Sequence, residues 1–568
     1  MIDFLIKINL ASLRGTIEFQ FIHSPSNIIK LSSGFNTLFL WGDPIFPNNK
    51  QNNAISEWEI TKLLTSIKGH FYFLKLNSAS NTLIAGVSLF NILPVYFSES
   101  ASHVFLSANP NDIASQLPTT SKNKRFILEN ILFNYQLFNQ SCFKEINLIP
   151  ANNYLRIEDN KVILSTHTST ESLFVANPKP WKKSAYLLSE IFIDSSKHYF
   201  PDDPFAISLT GGFDGRTLTS CGLHFGQNFS TYSFGTADYD DVIIARKISE
   251  KAGLNYENIN LNNSYIQNES LPDGLDFIKG AAGGAGFARA HYLFAAKILA
   301  AKYKTILTGN FGSELFRALH NAGAVISPNL QMFFSAKDYN EAILLLSSSQ
   351  EFCWLNRNNF NSEWEDLKED IKTLPCFNPH FKTLTKNQQF YKLVFDEVFR
   401  KYFGAELVNQ YKYLINRTPF LDYTFIKEIL QTEMAGVSSD FFTHNPFKRF
   451  KGQVLYAHII QKTYPGFSTE MTDKGYRPVD LLSLSGNFKI GQSFLKKQIY
   501  RTSKTNSDPY SVTAAFNHNK DFWEQVVVDS ELFSSEHIKN AFNNSTNSKD
   551  SFYLALSQVW WANYLKIS

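Results

Sequence analysis

Residues 206–217 read AISLTGGFDGRT, and the fold class turns on them. A short apolar run, Ala206 to Leu209, stops at Thr210. Gly211 and Gly212 follow, then Phe213, Asp214, Gly215 and Arg216, where the pattern turns helical. The apolar run reads as a buried strand. Glycines at a strand-to-helix junction let backbone N–H groups approach an anion at the positive end of the helix. A carboxylate in such a loop repels phosphate unless a cation lies between them, so Asp214 reads as a Mg2+ ligand beside a phosphate chain. The blander reading is a tight turn with Asp214 as the helix N-cap. No Gly-Lys-Ser/Thr follows, so the loop is not a P-loop.

Around this loop, strands and helices alternate. Helices are expected over 182–200, 215–226, 240–253 and 289–302, and strands over 205–210, 229–235 and 304–309, with 254–262 as a further candidate strand. Such alternation predicts a parallel sheet with helices on both faces. In an open sheet of this kind, ligands bind at the carboxyl ends of the strands, where Thr210 to Gly215 would lie. Beyond about residue 330 the chain reads as mainly helical. Before residue 170 it is mostly β: short Phe-, Tyr-, Ile- and Val-rich runs are punctuated by Asn, Ser, Gly and Pro, with helices expected near 56–69 and 125–138. Stacked antiparallel sheets with flanking helices are predicted there. A Ser/Thr/Asn/Pro-rich stretch near 165–180 reads as a linker.

Composition narrows the function classes. The chain has 568 residues, enough for two to four domains. Lys+Arg 54 against Asp+Glu 51 leaves a net charge of +3, too balanced to suggest nucleic-acid binding. Aromatics are high at 15%, mostly Phe, and read as compositional drift rather than a binding signal. Cys142, Cys221, Cys353 and Cys376 are scattered, with neither a zinc pattern nor a disulfide framework, which fits a reduced cytosolic compartment. The opening residues MIDFLIKINLASLRGTIEFQF alternate like a strand and lack a signal-peptide core. The longest apolar candidate, 292–309, is interrupted by Lys297, Lys302 and Lys304, so no membrane span is expected.

TGGFDG at 210–215 resembles the pyrophosphate loop of ATP pyrophosphatases, in particular the asparagine synthetase family. Three further stretches fall in that family's order: YSFGTADYDDVIIARKISEKAGLNY at 232–256, ILTGNFGSELFRA at 306–318 and NRTPFLDYTFIKEI at 416–429. GHFYFLKLNSASNTLIAGVSLFNILPVYFS at 69–98 and SCFKEINLIPANNYLRI at 141–157 resemble its glutaminase-type front domain. The resemblance implies an Ntn-type glutaminase-like domain over 1–170, a linker over 171–185 and an ATP-pyrophosphatase domain with a helical C-terminal part over 186–568, an α/β chain overall.

The resemblance also implies roles. ATP and Mg2+ are the expected cofactors, with Asp214 and Glu314 on the metal. Thr210, Gly211, Gly212, Asp214 and Gly215 would surround pyrophosphate, with Leu209 and Phe234 near adenine and Gly309 in the facing loop. YPGFSTEMTDKGYRP at 464–478 resembles the segment with the family's active-site lysine, which makes Lys474 a catalytic candidate beside Glu314. A solvated loop lysine is the alternative for Lys474, and Lys448 and Lys451 are weaker candidates. Arg417 and Asp422 read as a structural ion pair under the helical part, and His291 as a packed core histidine.

The chain departs from the family pattern in several places. Position 2 is Ile2, where glutamine-hydrolysing members have a cysteine nucleophile, and no Asn-Gly-Glu segment is found. The front domain is therefore expected to be structural or docking rather than a glutaminase. Thr210 and Gly215 replace two serines, Asn310 stands where an acid is common, and Ser313 stands where an aspartate usually helps hold Mg2+. The expectation is an ATP-dependent amide-forming ligase of the asparagine synthase type. Its carboxylate substrate would be a small molecule or a peptide and its nitrogen donor ammonia or an amine, with no nucleic-acid or membrane partner and homodimerisation left open. Relatives without the nucleophile close rings in lasso peptides or β-lactam precursors, or accompany cell-surface polysaccharide genes; Asn310, where the β-lactam branch would have Tyr, disfavours that branch. A non-catalytic nucleotide-binding scaffold is the alternative from a different class, and a tRNA-modifying enzyme on the same loop is weaker.

Overall fold

The computed structural model describes residues 3–10, 17–46, 51–316, 323, 325–438, 451–500, 508–527, 531–543 and 549–567. Ile2 and Lys448 lie outside the described residues.

Eleven described strands precede residue 170: β1 (Leu5–Asn9), β2 (Glu18–His23), β3 (Ile28–Ser33), β4 (Asn36–Gly42), β5 (Phe71–Asn77), β6 (Thr82–Val87), β7 (Tyr96–Glu99), β8 (His103–Ser107), β9 (Asn147–Leu148), β10 (Asn153–Glu158) and β11 (Lys161–Thr166). They form two antiparallel sheets, in the orders β2-β1-β8-β7-β9 and β11-β10-β6-β5-β4-β3. Aromatic residues join the sheets face to face. The Phe4 ring lies 5.0 Å from Trp41 of β4 and 4.9 Å from Tyr72 of β5. Such rings bury large apolar areas and favour edge-to-face packing. This is the expected stacked arrangement.

The second half holds β12 (Phe205–Ser208), β13 (Phe229–Gly235), β14 (Asn255–Asn260), β15 (Thr305–Leu307) and β16 (Ile415–Arg417). Every pairing among them is parallel, and the order is β14-β13-β12-β15-β16. Helices Asp214–His224, Asp240–Lys251 and Ala290–Ala300 return the chain between strands. The chain runs outward from β12 to β14, then crosses back to place β15 on the other side of β12. That reversal opens a crevice between the loops after β12 and β15, where such sheets bind ligands. The remainder is helical, as expected, apart from the three-residue edge strand β16, which lies within a stretch that reads only as a family motif in the sequence.

The halves share one continuous apolar core and a polar seam. Arg417, at the end of β16, makes a bidentate pair with Asp43, both contacts at 2.9 Å. Asp422 pairs with Lys68 and caps its helix through the Phe425 N–H. Arg417 and Asp422 are thus structural, but they do not pair with each other: each finds its counter-charge in the front domain. The stretch read as a linker is pinned at its start. Thr170 is buried and donates to Asp396, and Glu171 pairs with Lys392 at 2.6 Å. The long helix that opens the second half begins at Trp181.

Candidate active site

The loop 210–213 leaves β12 and enters the helix Asp214–His224. Leu209 is fully buried and donates its N–H to the Tyr232 carbonyl at 2.8 Å, so the strand pairing continues to the loop's edge. Gly215 is a glycine for a steric reason: a Cβ there would run into the Ser208 carbonyl, because the helix start lies directly on the end of β12. Gly211 is tight in the same way, with the Asp241 carboxylate and Asp473 where a Cβ would project. Its N–H donates to Asp241 at 3.0 Å. Burial and the nearby Asp473 raise the Asp241 carboxyl above its usual range. Thr210 turns its hydroxyl inward, where Oγ1 accepts from the Gly212 N–H at 3.3 Å.

Asp214 faces the second loop. Its Oδ2 accepts from the Ser313 hydroxyl at 2.8 Å, and its Oδ1 accepts from the Tyr456 hydroxyl. Gly309 and Gly312 let the 308–312 backbone close on Asp214, since a Cβ at either position would collide with it. Between them Phe311 holds φ +72, an outlier for a bulky residue. It is kept there by full burial against Phe399 and Phe403, at 5.1 and 4.5 Å. Asn310 donates to Glu406 at 3.1 Å, and Glu406 pairs with Arg289 at 3.1 Å. Glu314 follows Ser313 on the helix Gly312–Phe316. Successive helical residues point about 100° apart, so Ser313, not Glu314, meets the Asp214 carboxylate. The Glu314 charge instead acts on Tyr391 and Tyr402.

Lys474 arrives from a distant segment. Its Nζ lies 5.4 Å from the Phe213 ring centre and 3.4 Å from Asp473. The Asp473 N–H, which donates to the Gly211 carbonyl at 3.1 Å, and Arg216 hold it there, although the sequence context of Arg216 gave no hint of that role. The side chain is fully buried, and its guanidinium donates to the carbonyls of Glu470 at 2.7 Å and Met471 at 2.9 Å, with longer contacts to Phe467 and Gly211. Burial lowers its pKa to about 10. Lys451 pairs with Glu433 at 3.7 Å. Tyr456, 242 residues from Asp214, is the other participant the sequence did not reveal.

Phe234 ends β13 among aromatic rings, 5.2 Å from His291, 5.4 Å from Tyr292 and 5.8 Å from Tyr510. His291 is packed as expected: it is buried and stacks on Tyr510 at 4.8 Å, and burial pushes its imidazole down to about 3. In the front domain Cys142 is buried, which raises its thiol. No helix among the described residues is long and apolar enough to cross a membrane.

A sequence profile of the asparagine synthase family, described as Asparagine synthase, matches residues 188–486, more than half the chain and every element of this site described so far except Tyr510. The chain belongs to the asparagine synthase family. That membership places it in a family of ATP-dependent amide-forming ligases and accounts for the order of its motifs. No curated protein matches the chain significantly. Among solved structures, the chain is similar to glutamine phosphoribosylpyrophosphate amidotransferase from B. subtilis complexed with ADP and GMP. The identity is 9% and the TM-score 0.18, over 44% of this chain and 59% of that one, a likeness too slight to bear on the fold. The asparagine synthase match ends within the helix that follows Lys474, so the C-terminal segment bearing Tyr510 lies beyond it.

Proposed function

We propose that the chain activates a carboxylate by adenylation with ATP and joins it to a nitrogen nucleophile. A carboxylate oxygen attacks the α-phosphorus, the α–β phosphoanhydride bond breaks, and pyrophosphate leaves. The nitrogen then attacks the acyl carbon, the bond to AMP breaks, and the nucleophile gives up a proton. The observation that carries this reading is the convergence of Asp214 and Lys474 on one glycine loop at the β12/β15 crevice.

Thr210, Gly211, Gly212 and Gly215 would hold the departing pyrophosphate. Leu209 and Phe234 would flank adenine, and Gly309 keeps the facing loop close. Lys474 would stabilise negative charge developing around the α-phosphate. The residues fit Mg2+ in its usual nucleotide-borne form. That ion prefers one or two carboxylates plus substrate phosphates to an all-protein cage, and the described residues contain no cluster of three or more His, Cys, Asp or Glu able to hold a metal. Asp214 would hold it together with the substrate phosphates, and the bound ion would neutralise phosphate charge. The nitrogen donor would be ammonia or an amine rather than glutamine, and the chain would work in the cytoplasm.

The test is pyrophosphate release with Mg-ATP, first with aspartate and ammonium, then with aspartate and glutamine. Release with ammonium only, abolished by Asp214→Ala, is the expected result. Release unchanged in Asp214→Ala overturns the role of Asp214.

A second reading, a nucleotide-binding scaffold without turnover, is favoured by one observation. Both Asp214 oxygens and the Gly211 N–H are already engaged within the protein. ATP binding without pyrophosphate release on any carboxylate would decide for it.

A further inference from the structure

A cavity of about 410 Å3 opens beside the C-terminal ends of the parallel strands. It shares His291, Tyr292 and Tyr510 with the aromatic cluster around Phe234. Through Arg289, Glu406 and Asn310 it is wired to the loop that faces Asp214. We propose that this cavity binds an organic amine: a cationic amino group on a ring-bearing or otherwise apolar body. As the assignment of one substrate of the ligase, this rests on the function proposed above; as a binding site, it does not.

The cavity is larger than free ammonia needs. A small molecule such as water takes about 30 Å3 of liquid volume, and ammonia is of that order. The cavity is more than ten times larger, within the range of sites for drug-sized ligands. Its walls have an aromatic character, with Tyr135, Tyr292, Tyr402, Tyr510 and Tyr553 all lining it. Such walls suit a flat apolar body, and ring faces attract cations.

The charges point the same way. Among the described residues, both cations at the wall are paired with carboxylates. Arg289 pairs with Glu406 and lies 4.0 Å from the Tyr402 ring centre. Lys401 pairs with Glu397 and donates to the carbonyls of Leu137 and Phe138 at 2.9 and 2.6 Å. The acids, Asp508 and Asp550, have no cationic partner among the described residues, and burial raises the Asp550 carboxyl above its usual range. Asp508 accepts from the backbone N–H groups of Val512 and Ala514 at 2.9 and 3.0 Å. Asp550, exposed at the rim, has no hydrogen bond or ion pair among the described residues. An anionic ligand would meet two carboxyl groups that lack a cationic partner, whereas an amine would meet two acceptors beside aromatic faces.

The test is isothermal titration of the full chain with tyramine. Its uncharged counterpart, 4-hydroxyphenethyl alcohol, serves as the matched probe, and both are run with and without saturating Mg-ATP. Tyramine should bind at least tenfold more tightly than the alcohol, with or without nucleotide. Asp550→Asn should reduce its affinity about tenfold, and Tyr510→Ala, at a half-buried position, should reduce the affinity for both probes. Melting curves establish that each variant is folded. No tyramine binding, equal affinity for the two probes, or wild-type affinity in both variants would overturn the proposal. Displacement of tyramine by Mg-ATP would also overturn it, because the cavity would then belong to the nucleotide. The heat of binding needs no turnover, so failure to release pyrophosphate would defeat the ligase reading and leave this result standing.

Discussion

Ser313 donates its hydroxyl to Oδ2 of Asp214 at 2.8 Å. A neutral donor thus meets the candidate metal carboxylate where a second carboxylate would double the negative charge. Ser313→Asp should therefore act as a metal-dependent switch. Two carboxylates at this range repel by a few kcal/mol in a partly screened site, so the variant should melt earlier than wild type in EDTA and recover in millimolar Mg2+. Melting curves with and without Mg2+ decide it, and a variant indifferent to Mg2+ would show that this loop pair does not host the ion.

Gly215→Ser, although serine is the family's usual residue, should destabilise this chain. The new Cβ would press on the Ser208 carbonyl, and backbone cannot swing aside as a flexible side chain can. Overpacking of this kind typically costs about 1–3 kcal/mol. A urea midpoint equal to wild type would contradict the close contact.

Arg216→Met should be more damaging. It would strip a donor from the carbonyls of Glu470 and Met471 within a buried site. Buried acceptors left unsatisfied cost about 1–3 kcal/mol each. Stability should fall by roughly that much per carbonyl, and pyrophosphate release should fall with it, because the segment carrying Lys474 would be held to the loop only by the Asp473 N–H on the Gly211 carbonyl. Full activity in a folded variant would show that Lys474 is placed by other contacts.

Three buried histidines should govern acid stability. Burial lowers the imidazoles of His70 and His167 to about 4 and that of His291 to about 3, from an ordinary 6.5. Between those values and 6.5 the unfolded chain binds protons that the folded one does not, so stability falls as pH drops below 6.5. Each histidine contributes a slope of about 1.4 kcal/mol per pH unit. Urea titrations from pH 7 to pH 4 measure it, and His70→Gln should flatten the curve by one histidine's share. An unchanged slope would mean that His70 is charged in the fold.

Asp43→Asn should loosen the seam between the halves. Arg417 would keep its charge in a nearly buried position with a weaker partner, and breaking such pairs costs about 3–5 kcal/mol. Replacing both residues, as Asp43→Leu with Arg417→Met, should restore much of the loss. Limited proteolysis reports the opening, and equal resistance of Asp43→Asn and wild type would count against a structural pair.

What the sequence made legible was local. The run from Ala206 to Arg216 announces a strand, a glycine turn and a helix, because apolar periodicity and glycine placement act within a few residues. The alternation on either side of it yields the parallel sheet for the same reason. Lys474 was reachable only through the motif around it. Tyr456 and the Asn310–Glu406–Arg289 relay were not reachable at all, since their partners are set by tertiary packing across about 100 or more residues in each step. Arg417 and Asp422 show the limit most plainly. Their charges marked them as paired, but five residues of separation suggested each other, whereas the counter-charges lie more than three hundred residues away.

The seam has an evolutionary consequence. Asp43, Lys68 and His70 of the first half meet Arg417, Asp422 and Thr418 of the second. A gene shortened to its second half would encode a protein whose Arg417 and Asp422 have lost their opposite charges and whose apolar core lies open along one flank. The shared core and the paired charges make the two halves one folding unit.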